Sequence, residues 1–114
     1  VQLAKAAIAA GINIMCDIWE INLKDIEDVM IAGAFGNYMN PASACAIGLL
    51  PREFLDKVTL IGNAAGEGAK LAVLNKQEFE RSCQLASGVE FLELANRPEF
   101  QDTFVDELSF EQEV

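Results

Sequence analysis

Apolar residues recur every three or four positions along the first twenty residues, which is the spacing of an amphipathic α-helix. They form two adjacent stripes, one of Leu3, Ala7, Ala10, Ile14 and Ile18, and the other of Ile8, Ile12, Met15 and Trp19. Because the stripes together cover more than the usual apolar arc, we expect this helix to be buried on two sides. Gly11 lies in the middle of this helix, where a glycine lowers helix stability by ~1 kcal/mol relative to Ala. We therefore expect a close neighbour that leaves no room for a side chain at this position.

Two continuous apolar runs, each ended by a glycine, predict two buried strands. The first is Val29-Met30-Ile31-Ala32 before Gly33, and the second covers residues 57–61 before Gly62. Runs without polar alternation are typical of strands covered on both faces, as in a parallel sheet. In residues 89–94, apolar and polar side chains alternate approximately, which predicts a third strand at a sheet edge with one face more exposed to solvent.

Helix boundaries are predicted from Asn as N-cap, Pro at the first helical position and Gly at the end. These signals place helices at residues 41–48 after Asn40, 64–74 after Asn63, 76–87 before Gly88, and from Pro98 onward. Helices alternating with strands predict an α/β domain, with a mostly parallel or mixed three-stranded sheet covered by helices.

Length and charge narrow the possible functions. The 114 residues fit one domain, 1–114, and the start in mid-pattern at Val1 leads us to expect a piece of a larger protein. The net charge is −10, so no basic patch favours nucleic acid or an anionic membrane as a partner. A nucleotide stays possible because backbone amides and a metal hold a single phosphate chain.

The residue types that carry most metal and acid–base chemistry are scarce. There is no His, and Cys16, Cys45 and Cys83 are far apart without a CxxC pair. No metal site and no catalytic residue is therefore predicted in this piece. Unpaired cysteines and the lack of a targeting segment indicate a cytoplasmic protein.

The two glycine-rich turns after the strands are the distinctive feature. They read Gly33-Ala34-Phe35-Gly36-Asn37 and Gly62-Asn63-Ala64-Ala65-Gly66. Ligands of open α/β sheets bind at the carboxyl ends of the strands, where glycines let a ligand approach the backbone. The second turn also leads into a helix N-terminus, which favours an anion. Close helix packing is the alternative explanation, and neither turn is a GxGxxG or P-loop motif.

Most carboxylates are expected on solvated faces. Glu67 is different because it lies at the second turn, where it would contact a ribose hydroxyl or favour the helix N-terminus. Lys70, one turn later, would pair with Glu67 or reach a phosphate. Cys16 and Cys45 are expected in the core.

Four segments together resemble the C-terminal part of reductive activators of corrinoid proteins. They are Val1-Gln2-Leu3-Ala4-Lys5-Ala6-Ala7-Ile8, Ile31-Ala32-Gly33-Ala34-Phe35-Gly36-Asn37-Tyr38, Ala46-Ile47-Gly48-Leu49-Leu50-Pro51 and Gly62-Asn63-Ala64-Ala65-Gly66-Glu67-Gly68-Ala69. Members of that family carry an N-terminal [2Fe-2S] domain and an ATPase core of the actin, sugar-kinase and heat-shock-protein type. The resemblance implies part of a ribonuclease-H-like lobe of that core.

The resemblance also implies a site and a role. Gly33, Ala34, Gly36 and Asn37 would border the adenosine of ATP, and Gly62, Asn63 and Gly66 are second candidates. The full-length protein would bind ATP with Mg and reduce a Co(II) corrinoid to Co(I) in a corrinoid-protein partner, in anaerobic metabolism. The phosphate- and metal-binding residues and the cluster cysteines would lie upstream of this piece.

Two other interpretations remain open. The first is an interaction or dimerisation module that keeps an ATPase-like fold, with which the acidic surface and the apolar first helix are compatible. The second is a stand-alone methyltransferase-like domain, which is disfavoured because no acidic residue follows the first strand to hold a ribose.

Overall fold

The computed structural model describes residues 1–34 and 38–109. Within these residues, five helices and two strands form an α/β arrangement in which helices predominate: α1 (Gln2–Ile18), β1 (Val29–Ala32), α2 (Pro41–Ala46), β2 (Val58–Gly62), α3 (Ala64–Leu74), α4 (Lys76–Ser87) and α5 (Pro98–Asp106). Short 3₁₀ turns lie at Leu23–Asp25, Arg52–Phe54 and Leu94–Asn96. The order agrees with the predicted helices and with the first two predicted strands.

Two compact units can be distinguished. One contains Val1–Met30, Met39–Thr59 and Glu93–Val114, and the other contains Ile31–Tyr38 and Leu60–Leu92. All the buried apolar side chains of the described residues belong to the first unit: Ala6, Ala9, Ala10, Ile14, Cys16, Ala44, Cys45, Leu49, Leu50 and Phe54.

β1 and β2 pair in parallel. The Val29 amide donates to the Lys57 carbonyl at 3.1 Å, and the Gly33 amide donates to the Gly62 carbonyl at 2.6 Å, so the register advances in the same direction on both strands. The sheet of the described residues has the order β1-β2 and contains two strands.

The predicted third strand at residues 89–94 is wrong. Residues 89–93 form no regular element, and Val89 and Phe91 are exposed. A strand exists only where a neighbour supplies ladder hydrogen bonds, and approximate alternation does not provide that neighbour. Instead, the Leu94 side chain reaches α1, where its Cδ1 lies 3.2 Å from the position a Cβ on Gly11 would occupy. The close neighbour expected at Gly11 is therefore confirmed.

The expectation that α1 is buried on two sides is also wrong. One face is buried and consists mainly of small residues, whereas Ile8, Met15 and Trp19 of the second stripe are exposed. The strands likewise fall short of burial on both faces, since Met30, Leu60 and Ile61 are exposed. Helical periodicity reveals which residues share a face but does not reveal which faces meet a partner.

α1 is held against the end of α5 by a buried lysine. Lys5 is 1% exposed, and its Nζ donates to the Glu107 carbonyl at 2.5 Å and to the Ser109 carbonyl at 2.8 Å. The Glu107 carboxylate lies 3.7 Å from the same ammonium and accepts from Asn13 Nδ2 at 3.2 Å. The hydrogen bonds make this buried charge tolerable, because a buried ammonium needs compensating acceptors.

No helix among the described residues combines the length and apolarity that crossing a bilayer requires.

Candidate functional site

The first glycine turn begins where β1 ends, and its geometry requires glycine. Gly33 has φ +86°, a left-handed conformation that side chains with a Cβ disfavour. A Cβ built on Gly33 would find no atom of the described residues, 1–34 and 38–109, within 4 Å, so those residues leave open space beside this backbone. Packing therefore does not explain this glycine, and its exposed backbone is accessible to a ligand.

The second turn lies beside the first. Gly62 ends β2 with φ +62°, and its carbonyl accepts the Gly33 amide. Parallel pairing brings the carboxyl ends of both strands to one edge, as the sequence predicts, and the hydrogen bond joins the two turns directly. Gly33 and Gly62 thus belong to one local structure.

Asn63 and Gly66 form the start of α3. Asn63 Oδ1 accepts the Gly66 amide at 3.0 Å, which is the N-cap bond expected from the sequence. A Cβ on Gly66 would lie 2.8 Å from Asn63 Cγ, so glycine makes room for the capping side chain. These two residues have a structural reason to be present that is independent of any ligand.

Ala34 follows Gly33 and is exposed. Phe35, Gly36 and Asn37, which complete the first turn, lie outside the described residues. Glu67 and Lys70 pair with each other across one turn of α3, with Oε1 and Nζ 3.2 Å apart. Both side chains are about 70% exposed (71% for Lys70 and 70% for Glu67), so this pair contributes little to stability.

The cysteines lack the environment of cluster ligands. Cys16 and Cys45 are buried, as expected, and Cys83 is exposed. Burial raises the pKa of the Cys16 thiol, and the nearby Asp17 carboxylate raises it further; burial alone raises the pKa of the Cys45 thiol. Metal ligation needs thiolates, which a raised pKa disfavours. Within residues 1–34 and 38–109, no three or more Cys, Asp or Glu side chains are grouped to hold a metal.

A small polar cavity of about 260 Å³ lies in the first unit, with Asn13, Arg52, Glu53 and Glu107 among its lining residues. Sequence reasoning did not single out Asn13 or Glu107. The available signal was Lys5, a lone charge near the start of an apolar helix, which indicates a buried ionic contact.

Comparison with known proteins identifies the family. A family model described as the C-terminal domain of RACo, the ASKHA domain, matches residues 1–114. The chain belongs to this family. The resemblance that the sequence motifs indicate is thereby confirmed.

Two relatives show how much of a complete protein this RACo-type domain represents. The corrinoid activation enzyme RamQ of Eubacterium limosum is 42% identical over 105 residues, which are 92% of this chain and 18% of that protein. A solved structure, a reductive activator for corrinoid, iron-sulfur protein, matches with a TM-score of 0.86 and 36% identity. That match covers 96% of this chain and 17% of the other. The chain therefore spans less than a fifth of the length of these relatives.

The RACo-type domain thus brings two of the predicted site residues, Gly33 and Gly62, into direct contact. It uses Asn63 and Gly66 for a helix cap and leaves Ala34 exposed next to Gly33.

Proposed function

We propose that this chain, as one domain over residues 1–114, is the adenosine-side lobe of an ATP-dependent reductive activator of corrinoid proteins. The observation that carries the proposal is Gly33, whose backbone is strained for any other residue and faces open space at the carboxyl end of β1. A flat purine stacking on a peptide plane needs this absence of a Cβ. The family match and the relatives' names support the wider role.

The proposal gives each of the predicted site residues a role. Gly33 and Ala34 would provide a flat backbone surface for the adenosine, and Gly36 and Asn37 would border it. Gly62 would hold Gly33 in place through their hydrogen bond. Asn63 and Gly66 would act indirectly, by fixing the start of α3 next to Gly62.

The remaining cofactors of the complete protein would lie elsewhere in the polypeptide. The cysteine environments described above do not fit a [2Fe-2S] cluster, so we assign the cluster and the Mg²⁺ ligands to other domains. In this proposal the [2Fe-2S] cluster of the complete protein would donate one electron to a Co(II) corrinoid in a partner protein, in the cytoplasm, giving Co(I) and the oxidised cluster, and ATP binding would favour that transfer. This domain would contribute binding and no catalytic residue.

Hydrogen exchange of the full-length protein with and without ATP tests the site. We expect ATP to slow exchange of the backbone amides of residues 33–37, because a bound adenosine excludes water from that turn. Slowing elsewhere in the protein with no change at residues 33–37 would show that the nucleotide binds and that this turn does not hold it.

A substitution at Gly33 tests the same site energetically. Gly33→Ala places a Cβ on left-handed backbone, so the free turn relaxes and ATP binding must restore the strained conformation. That strain of about 1–2 kcal/mol corresponds to roughly tenfold weaker ATP binding. Gly68→Ala is the matched control, since a Cβ there also meets no atom within 4 Å but lies within helix α3. Calorimetric titration of both variants with ATP gives the comparison, and equal affinities would count against the proposal.

A further inference from the structure

Tyr38, the single tyrosine of the chain, has nearly all of its side chain in solvent. It is 90% exposed, whereas a tyrosine ring is more often covered, with only its hydroxyl in contact with water. Tyr38 belongs to the same compact unit as Gly33 and Gly62 of the candidate site. Single exposed aromatic residues are common on protein surfaces, so the place of Tyr38 relative to the glycine turns decides what its exposure means.

The chain keeps Tyr38 close to the first glycine turn. Tyr38 follows Gly33 by five residues, and five residues of fully extended chain span at most about 18 Å. The hydrogen bond from the Gly33 amide to the Gly62 carbonyl fixes the edge at which an adenosine would bind. Among residues 1–34 and 38–109, Tyr38 is therefore the aromatic residue with the shortest chain connection to Gly33.

A purine bound at Gly33 has two flat faces, and the backbone of the turn covers one of them. In the function proposed above, that face lies on the peptide plane between Gly33 and Ala34, and the opposite face needs another partner. A side chain that already lies in solvent can cover this face without leaving a core. An aromatic ring suits the task because the flat faces of bases stack well on aromatic side chains.

The other exposed aromatic residues of this unit are less well placed. Phe79 is 54% exposed within α4, and Phe91 is 88% exposed after the end of α4. Both follow helix α3, so neither is carried by a turn at the end of a strand. Phe91 nevertheless matches Tyr38 in exposure and belongs to the same unit, which makes it a suitable control.

We propose that Tyr38 stacks on the adenine of bound ATP, so that the base is held between the tyrosine ring and the backbone of Gly33 and Ala34. The tyrosine hydroxyl remains in water, as is usual for this side chain. Stacking accepts any base, since every base has a π face, and Tyr38 therefore increases nucleotide affinity without selecting adenine. The inference rests on the proposed function, because it requires an adenosine at Gly33.

Nucleotide titration of full-length variants tests the stacking. We expect Tyr38→Ala to bind ATP about tenfold more weakly than the unmodified protein, because the base loses one of its two covers. Tyr38→Phe keeps the ring and should bind ATP within about twofold of the unmodified protein. Phe91→Ala, the matched control, should leave the affinity unchanged. Equal ATP affinities for Tyr38→Ala and Tyr38→Phe would overturn the proposal.

A fluorescent base reports the contact itself and does not depend on affinity or on the stability of the variant. In 2-aminopurine riboside triphosphate, stacking of the base on a tyrosine ring quenches its fluorescence. At saturating nucleotide, the bound base should therefore fluoresce more strongly in Tyr38→Ala than in the unmodified protein. The same fluorescence in both proteins would show that the ring does not touch the base and would overturn the proposal.

Hydrogen exchange separates a failure of this inference from a failure of the proposed function. If ATP slows exchange at residues 33–37 but binds Tyr38→Ala as tightly as the unmodified protein, the adenosine site stands and the stacking is overturned. If ATP leaves exchange at residues 33–37 unchanged, both are overturned.

Discussion

At the scale of single residues, Glu20 occupies a position that usually belongs to glycine. α1 ends in a Schellman arrangement, in which the Ile21 amide donates to the Cys16 carbonyl at 3.0 Å and the Glu20 amide to the Asp17 carbonyl at 3.2 Å. This arrangement places Glu20 at φ +54°, the one positive φ at a non-glycine residue of the described chain. The helix end is therefore strained by its own sequence.

Replacing Glu20 with glycine releases this strain. We expect Glu20→Gly to stabilise the end of α1 by about 1 kcal/mol relative to Glu20→Ala, because only glycine adopts left-handed backbone without steric conflict. Both variants remove the same carboxylate, so their difference isolates the backbone. Native-state hydrogen exchange of the last amides of α1 measures it, and equal protection in the two variants would contradict the assignment.

The two buried thiols predict a pH dependence. Their pKa values are raised, so the folded state holds these protons more tightly than the unfolded chain does. Their contribution to stability is complete below the ordinary thiol pKa of about 8.5 and is lost as the pH rises through the raised values.

Urea unfolding at about pH 8 and about pH 10 tests whether the thiols contribute less to stability at the higher pH, because the two pH values lie on either side of the ordinary thiol pKa. The free energy of unfolding of the unmodified protein should decrease more between them than that of a Cys16→Ala, Cys45→Ala double variant. Cys83→Ala, at an exposed position, controls for loss of a thiol. An identical decrease in the double variant would contradict the interpretation.

At the scale of elements, the sequence predicted features that depend on neighbouring residues, such as helix caps, and did not predict which distant elements pair. The caps Asn40 and Asn63 are confirmed because each side chain bonds an amide three residues later. The prediction of a strand at residues 89–94 was wrong because strand pairing depends on a neighbour that is distant in the sequence. The prediction that the second stripe of α1 is buried was wrong for the same reason, since the helix sequence does not specify which element covers that face.

The candidate site also divides into features that are local in the sequence and features that are not. Gly33 and Gly62 could be singled out from the sequence because a glycine at the end of an apolar run is a local signal. The bond between them required knowledge that the two strands are adjacent. The cluster of Lys5, Asn13 and Glu107 was missed because 102 residues separate Lys5 from Glu107 and 94 residues separate Asn13 from Glu107.

The contact between α1 and α5 gives a prediction for these elements. Lys5→Met keeps the apolar stem and removes the ammonium, which leaves the Glu107 and Ser109 carbonyls without this donor. We expect a loss of about 1–3 kcal/mol, the usual range for buried polar groups left unsatisfied. Protection of the α5 amides in native-state hydrogen exchange is the measurement.

Glu107→Gln is the matched control for Lys5→Met. It keeps the carbonyl that Lys5 binds and removes only the carboxylate charge, which is 28% exposed and 3.7 Å from the ammonium. We expect a loss below about 1 kcal/mol, in line with partly solvated ion pairs. A loss as large as that of Lys5→Met would show that the ion pair, and not carbonyl binding, joins the helices.

At the scale of the whole molecule, this chain is a RACo-type C-terminal domain whose apolar faces are only partly covered by its own residues. Its core is confined to the first unit, and the second unit contains no fully buried residue among those described. Stability and ligand binding should therefore be measured in the complete polypeptide.

The Lys5 contacts have a consequence for synthesis on the ribosome. The ammonium near the start of α1 finds its carbonyl acceptors 102 and 104 residues later. At about 5–20 residues per second, roughly 5–20 seconds pass between the two ends of this contact. During that interval α1 exposes both its apolar face and its lysine, so α1, which precedes the other helices described in this domain, is fixed in place only after the residues that follow α5 have been made.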